Sequence, residues 1–152
     1  MLEGGCFCGH VRYRITTPPM FVNCCHCRDC QKLTGSAFAI NAMIEADRIE
    51  VTGEGQPVTE GDGERTMRCP KCHVLLWATH RMFGDAILFL RAGTLDEAER
   101  IKPDAHFFAS RKHPWVTIPP EAVVFAELPA PGDPPLLSGE GQRRLAAAMG
   151  RG

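Results

Sequence analysis

Cysteine pairs at CxC and CxxC spacing place two thiolates within reach of one ion, with Zn–S bonds of about 2.3 Å. All eight cysteines of this chain fall into such clusters: Cys6-Phe7-Cys8, Cys24-Cys25-His26-Cys27-Arg28-Asp29-Cys30, and Cys69-Pro70-Lys71-Cys72. Cys6 and Cys8 project to one side of an extended segment, and Pro70 stiffens the turn that makes Cys69 and Cys72 converge. Neither pair fills a tetrahedron. Together they make a closed structural site of four thiolates that ties the N-terminus to the middle of the chain, where metal binding contributes directly to folding.

The middle cluster has different chemistry. Cys25, Cys27 and Cys30 supply three thiolates from one short segment, and three protein ligands with a vacant fourth position characterise a catalytic zinc site. A water or a substrate thiol can take that position, the thiol being held as thiolate near neutral pH. The competing reading is a second structural zinc closed by Cys24 or His26. Cys24 points away from Cys25 if residues 22–25 are extended, which makes it a small core residue, with a fourth ligand or an oxidation-sensitive thiol as alternatives. His26 falls on the face opposite the ligands, as a supporting donor or an exposed residue. Two zinc ions per chain are expected.

The elements that must position these residues read as short strands. Val11, Tyr13 and Ile15 alternate with Arg12, Arg14 and Thr16, the period of a half-buried strand over 10–16. Residues 36–44, 48–52, 65–68, 74–79 and 86–92 read as further strands, and 53–62 as hairpin and loop. A brief helix is expected over 28–33, stopped by Gly35. After Leu128 the run Pro129-Ala130-Pro131-Gly132-Asp133-Pro134-Pro135 cannot continue a sheet. The expected division is a zinc-binding domain over 1–128, then a tail over 129–152. That tail is a proline-rich linker followed by a short helix over 140–149, with Ser138 and Gly150 at its ends, or a disordered segment.

Composition sets bounds on function. The chain has 152 residues, 44% of them hydrophobic and 23% charged, with a formal net charge of -1, enough for one domain with a modest core. No basic run suits nucleic acid, and no apolar stretch spans a bilayer. The N-terminal residues lack a signal-peptide pattern, so a cytoplasmic location is expected, where such pairs bind metal rather than form disulfides.

These clusters resemble the glutathione-dependent formaldehyde-activating enzyme family, which includes the centromere protein V-like proteins. The resemblance rests on Gly4-Gly5-Cys6-Phe7-Cys8-Gly9 leading into Val11-Arg12-Tyr13, on Cys25-His26-Cys27 through Cys30-Gln31-Lys32-Leu33-Thr34-Gly35, and on Cys69-Pro70-Lys71-Cys72. The later Lys102-Pro103 through His106-Phe107-Phe108 to Ser110-Arg111-Lys112-His113-Pro114-Trp115 is similar to the family's closing motif. The resemblance covers about residues 4–118. It implies a mainly β fold, a β-tent of antiparallel sheets stapled by zinc, with the short helix following the CHCxxC cluster. It also implies a structural zinc on Cys6, Cys8, Cys69 and Cys72 and a catalytic zinc on Cys25, Cys27 and Cys30. Two positions depart from the pattern: His73 stands where the family usually has glycine, and Cys24 is additional.

The function so implied is that of a zinc-dependent carbon–sulfur lyase, S-(hydroxymethyl)glutathione synthase-like. It would act on adducts of glutathione, or a similar thiol, with formaldehyde or another small aldehyde. Arg28 and Lys32, a helical turn apart beside the ligands, are expected to hold substrate carboxylates, and Arg28 to matter more for thiol binding than Arg144 in the tail. Arg111 and Lys112 are further candidates, and Trp115 and Phe38 are candidate pocket walls; solvated surface and core packing are the competing readings. The alternative function is a non-catalytic zinc-stapled module that binds a protein or a small thiol.

Overall fold

The computed structural model describes residues 1–59 and 64–150; the end of the 53–62 loop and the last two residues of the tail lie outside the described residues. The chain is mainly β. Strands β1 (Leu2–Gly5), β2 (Arg12–Ile15) and β5 (Ile49–Thr52) form a three-stranded antiparallel sheet in the order β1-β2-β5. The larger sheet contains β3 (Phe21–Cys25), β4 (Ala39–Glu45), β6 (Gln56–Thr59), β7 (Arg65–Arg68), β8 (Leu75–His80), β9 (Gly84–Arg91), β10 (Ala105–Phe107) and β11 (Val123–Val124). Its order is β11-β10-β3-β4-β9-β8-β7-β6. Helix α1 covers Arg28–Thr34 and helix α2 Gly139–Met149.

The alternation in β2 does what its period requires: Tyr13 and Ile15 are buried while Arg14 is exposed. These side chains meet Ile44, Leu76 and Leu90 in a core between the sheets, where Tyr13 and Trp77 pack edge to face at 6.1 Å. Gly4 is required at this junction, because a Cβ there would stand 2.4 Å from the Tyr13 hydroxyl.

Strand β3 shows no alternation, and all five of its residues are buried. A second core explains why. Val22 of β3 and Ile44 of β4 pack into the first core, whereas Phe21 and Met43 pack into another with Ile87, Phe107 and Ala148. Both faces of these central strands are therefore covered, which erases the polar half of the period.

One departure from the expected antiparallel sheets follows. Strand β10 pairs parallel to β3, with Ala105 opposite Asn23, and β11 pairs parallel to β10, so the large sheet is mixed. Parallel neighbours need a long crossover, and most of the sheet is built between β3 and β10.

Helix α2 starts at Ser138, whose hydroxyl accepts from Gly141 N at 3.1 Å. It lies on the second core through Leu145 and Ala148. Arg144, a tail residue by sequence, spans to buried Glu45 on β4. No helix among the described residues is long and apolar enough to cross a membrane.

Candidate metal centres and cleft

The loop after β1 and the turn between β7 and β8 bring Cys6, Cys8, Cys69 and Cys72 together, their sulfurs all within 4.8 Å of one another. A zinc tetrahedron with bonds of about 2.3 Å places its sulfurs about 3.8 Å apart. Cys6 and Cys8 are 3.6 Å apart, and Cys8 and Cys69 are 3.7 Å apart. Both distances match that spacing, and four thiol sulfurs are the donor set of a closed tetrahedral zinc site. Backbone amides support the negative charge: Val11 N donates to Cys6 Sγ at 3.3 Å, and Lys71 N and Cys72 N donate to Cys69 Sγ at 3.4 and 3.5 Å. The Val74 amide is the largest influence drawing the Cys72 thiol down to about 6. This set joins the small sheet to the large one across 61 residues.

His73 follows the turn with φ +60°, the left-handed conformation that glycine adopts at no steric cost. It is exposed, its amide donates to Cys69 O at 2.9 Å, and it is absent from both ligand sets. The backbone thus keeps the glycine geometry with a histidine in place.

Cys25, Cys27 and Cys30 form the second set, with sulfurs within 4.8 Å of one another. Cys25 ends β3. Cys27 caps α1 by accepting from Cys30 N at 3.3 Å, and Gly35 closes the helix at φ +61°. Capping the helix and placing the Cys27 thiol in this set are therefore one feature. The contact with Cys25, aided by the charge and hydrogen bond of Arg91, draws the Cys30 thiol down from its ordinary value. Cys24 belongs to neither set. It is buried in β3, and desolvation pushes its thiol up to about 11, as for an unreactive core cysteine.

His26 is fully buried, which excludes the exposed alternative. Its Nε2 lies 3.0 Å from His106 Nδ1, and its ring packs against Phe38. Gln31 fastens the same loop, donating from Nε2 to His26 O at 2.7 Å and to Arg111 O at 3.0 Å. Neither His106 nor Gln31 was identifiable as a partner from spacing.

A cleft of about 690 Å³ opens beside the three-cysteine set and is lined by Cys27, Cys30, Lys32, Asn41, Phe89 and Arg91 among others. Of the four candidate substrate-binding residues, the structure brings only Lys32 to this cleft. Arg28 is exposed and turns to Gln31 Oε1. Arg111 pairs with Glu127 at 3.3 Å and lies over the Phe108 ring. Trp115 is 73% exposed and stacks on His113 at 5.6 Å. Phe38 lines a neighbouring hollow of about 490 Å³, which Cys72 of the four-cysteine set also lines. Arg91, which no motif marks, lines both hollows.

The profile of the glutathione-dependent formaldehyde-activating enzyme family matches residues 1–111. A protein of Halomonas elongata named "Putative glutathione-dependent formaldehyde-activating enzyme" is 30% identical over 128 residues, covering 78% of this chain and 81% of that protein. The crystal structure of a Rhodobacter sphaeroides protein superimposes with a TM-score of 0.51 at 17% identity, covering 67% of this chain and 92% of that one. That last likeness is one of fold.

Proposed function

The chain belongs to the glutathione-dependent formaldehyde-activating enzyme family, and from that premise we propose that it is a zinc-dependent carbon–sulfur lyase. Its substrates in this reading are adducts of glutathione, or a similar small thiol, with formaldehyde or another small aldehyde. The observation that carries the reading is the contrast between the two cysteine sets. Four sulfurs, enough to fill a tetrahedron, lie together in the first, whereas the second brings together three, of which Cys27 and Cys30 line a cleft. A closed set suits structure, and an open set suits exchange of a fourth ligand.

Zinc on Cys25, Cys27 and Cys30 would supply Lewis acidity and keep a substrate thiol ionised near neutral pH. The remaining work falls to the chain. Lys32 and Arg91 draw an anionic thiol into the cleft and orient it. Phe89 and Leu33 give the cleft apolar wall, which keeps bulk water from the reacting carbon. In the synthetic direction the thiol gives up its proton, its sulfur adds to the carbonyl carbon as the carbonyl π bond breaks, and the oxygen takes up one proton in exchange for the one lost from sulfur; the lyase direction reverses these changes. A reducing compartment such as the cytoplasm keeps both cysteine sets in the required state.

The test is the rate at which glutathione and formaldehyde exchange with their hydroxymethyl adduct, followed by exchange NMR. Protein carrying two zinc equivalents is expected to raise that rate above the uncatalysed one, and Cys27→Ser to abolish the gain. A fully loaded protein that leaves the rate unchanged would overturn the proposal in favour of a zinc-stapled binding module.

A further inference from the structure

Asn23, Asn41 and Arg91 stand in one row across β3, β4 and β9, each directly opposite the next. Asn41 donates from Nδ2 to Asn23 Oδ1 at 3.3 Å, and Arg91 donates from Nη1 to Asn41 Oδ1. Both asparagines are buried. The row therefore holds the guanidinium at the end of β9, on the wall that Cys27 and Cys30 share. Arg91 Nε is buried and has no partner among the described residues. A guanidinium with one donor pinned by protein and another left over is suited to meet an anion, and burying that donor without one is unfavourable.

The three-cysteine set creates the demand for such a cation. Three thiolates on a divalent ion leave a charge of about -1, and a fourth thiolate makes it about -2, costly in a partly desolvated site. Among the described residues, the carboxylates lining the cleft are Asp29, which is exposed, and Glu64, which lies 3.5 Å from His80. Lys32 is exposed on a flexible stem. Among the described residues that line the cleft, Arg91 is the cation held by a buried hydrogen-bonded row.

We propose that Arg91 is a positioning residue that balances the charge of the Cys25–Cys27–Cys30 set when an outside thiolate joins it. The site would then select thiols as a class, through the charge on sulfur, rather than through a carboxylate bound by Arg91. This rests on the thiol-binding reading above, and its test separates the two.

The full chain, loaded with cobalt, is titrated with 2-mercaptoethanol and with glutathione while the charge-transfer and d–d bands are followed. Arg91→Gln is expected to weaken both thiols by roughly tenfold, and Arg91→Lys to recover most of that loss. In parallel, chelator competition on the zinc-loaded protein should withdraw one of two ions several-fold more readily from Arg91→Gln, the other as in the parent. Unchanged affinity for 2-mercaptoethanol in Arg91→Gln, or a loss confined to glutathione, overturns the proposal. If the parent shows no thiol-dependent bands, the thiol-binding reading fails and the proposal falls with it, whereas bands that appear in the parent and are unchanged in Arg91→Gln overturn the proposal alone. Should Arg91→Gln not fold, Asn41→Ala takes its place by freeing the guanidinium from its row. An equal loss for both thiols then supports the proposal, and no loss overturns it.

Discussion

Arg144 on α2 donates from Nε and Nη2 to the two carboxylate oxygens of Glu45 on β4, at 2.8 and 2.6 Å, across 99 residues of sequence. The same guanidinium reaches Pro18 O and Thr17 Oγ1, each at 3.1 Å. The Glu45 side chain is only 4% exposed, so removing Arg144 strands a buried charge. Arg144→Ala is expected to destabilise the chain by about 3 kcal/mol, read by urea unfolding; a midpoint equal to the parent's would mean that the pair contributes nothing. It follows that Arg144 is no neutral reference for substitutions near the cysteines.

The same pair sets a pH dependence. Burial pushes the Glu45 carboxyl up, but the hydrogen bond and charge of Arg144 hold it below its ordinary value of 4.5. A depressed carboxyl binds fewer protons in the folded state. Its stabilisation is therefore complete above the unfolded value and is lost as pH falls through the folded one. Because acid also strips zinc from thiolates, the measurement is a difference: the stability gap between the parent and Glu45→Gln should close progressively below about pH 4.5. A gap constant down to pH 3 would refute the linkage.

The two cysteine sets differ in what they connect. Cys69 ties the turn after β7 to the loop after β1, whereas Cys27 links residues already held by α1 and its cap. Cys69→Ser should lower the melting temperature far more than Cys27→Ser. Two zinc equivalents should be found by elemental analysis of the parent. Equal destabilisation would assign both sets a structural role.

His73 holds φ +60° with an exposed side chain, so little packing offsets the backbone cost. His73→Gly is expected to stabilise the chain by about 1 kcal/mol, raising the melting temperature by a few degrees. A lower melting temperature would show that the imidazole itself supports the turn.

Lys32 lines the cleft and Arg28 does not. With an exposed ammonium the effect is modest: Lys32→Ala should raise the KM for glutathione roughly two- to fivefold at low salt, and Arg28→Ala should leave it nearly unchanged. The reverse order would place the substrate on the outer face of α1.

Short-range spacing made much of this molecule legible in advance. Thiols two residues apart on an extended segment share a side, and a single local turn converges those three apart, so the pairing of Cys6 with Cys8 and of Cys69 with Cys72 needed no tertiary information. The same holds for α1, where Gly35 supplies the left-handed cap, and for β2, where one face meets the core and the other meets water. Strand β3 hid from that reasoning because both of its faces are buried. The second partner of each relationship was hidden too. His106 reaches His26 across 80 residues, Arg144 reaches Glu45 by way of a helix that looked detachable, and Arg91 reaches the three-cysteine cleft only because β9 pairs with β4 in the register that sets it opposite Asn41. Spacing along the chain governs distance over a turn or two, while sheet register decides which distant side chains become neighbours. Which cysteines can share an ion was therefore local information, and the charge that surrounds them was decided by the tertiary fold.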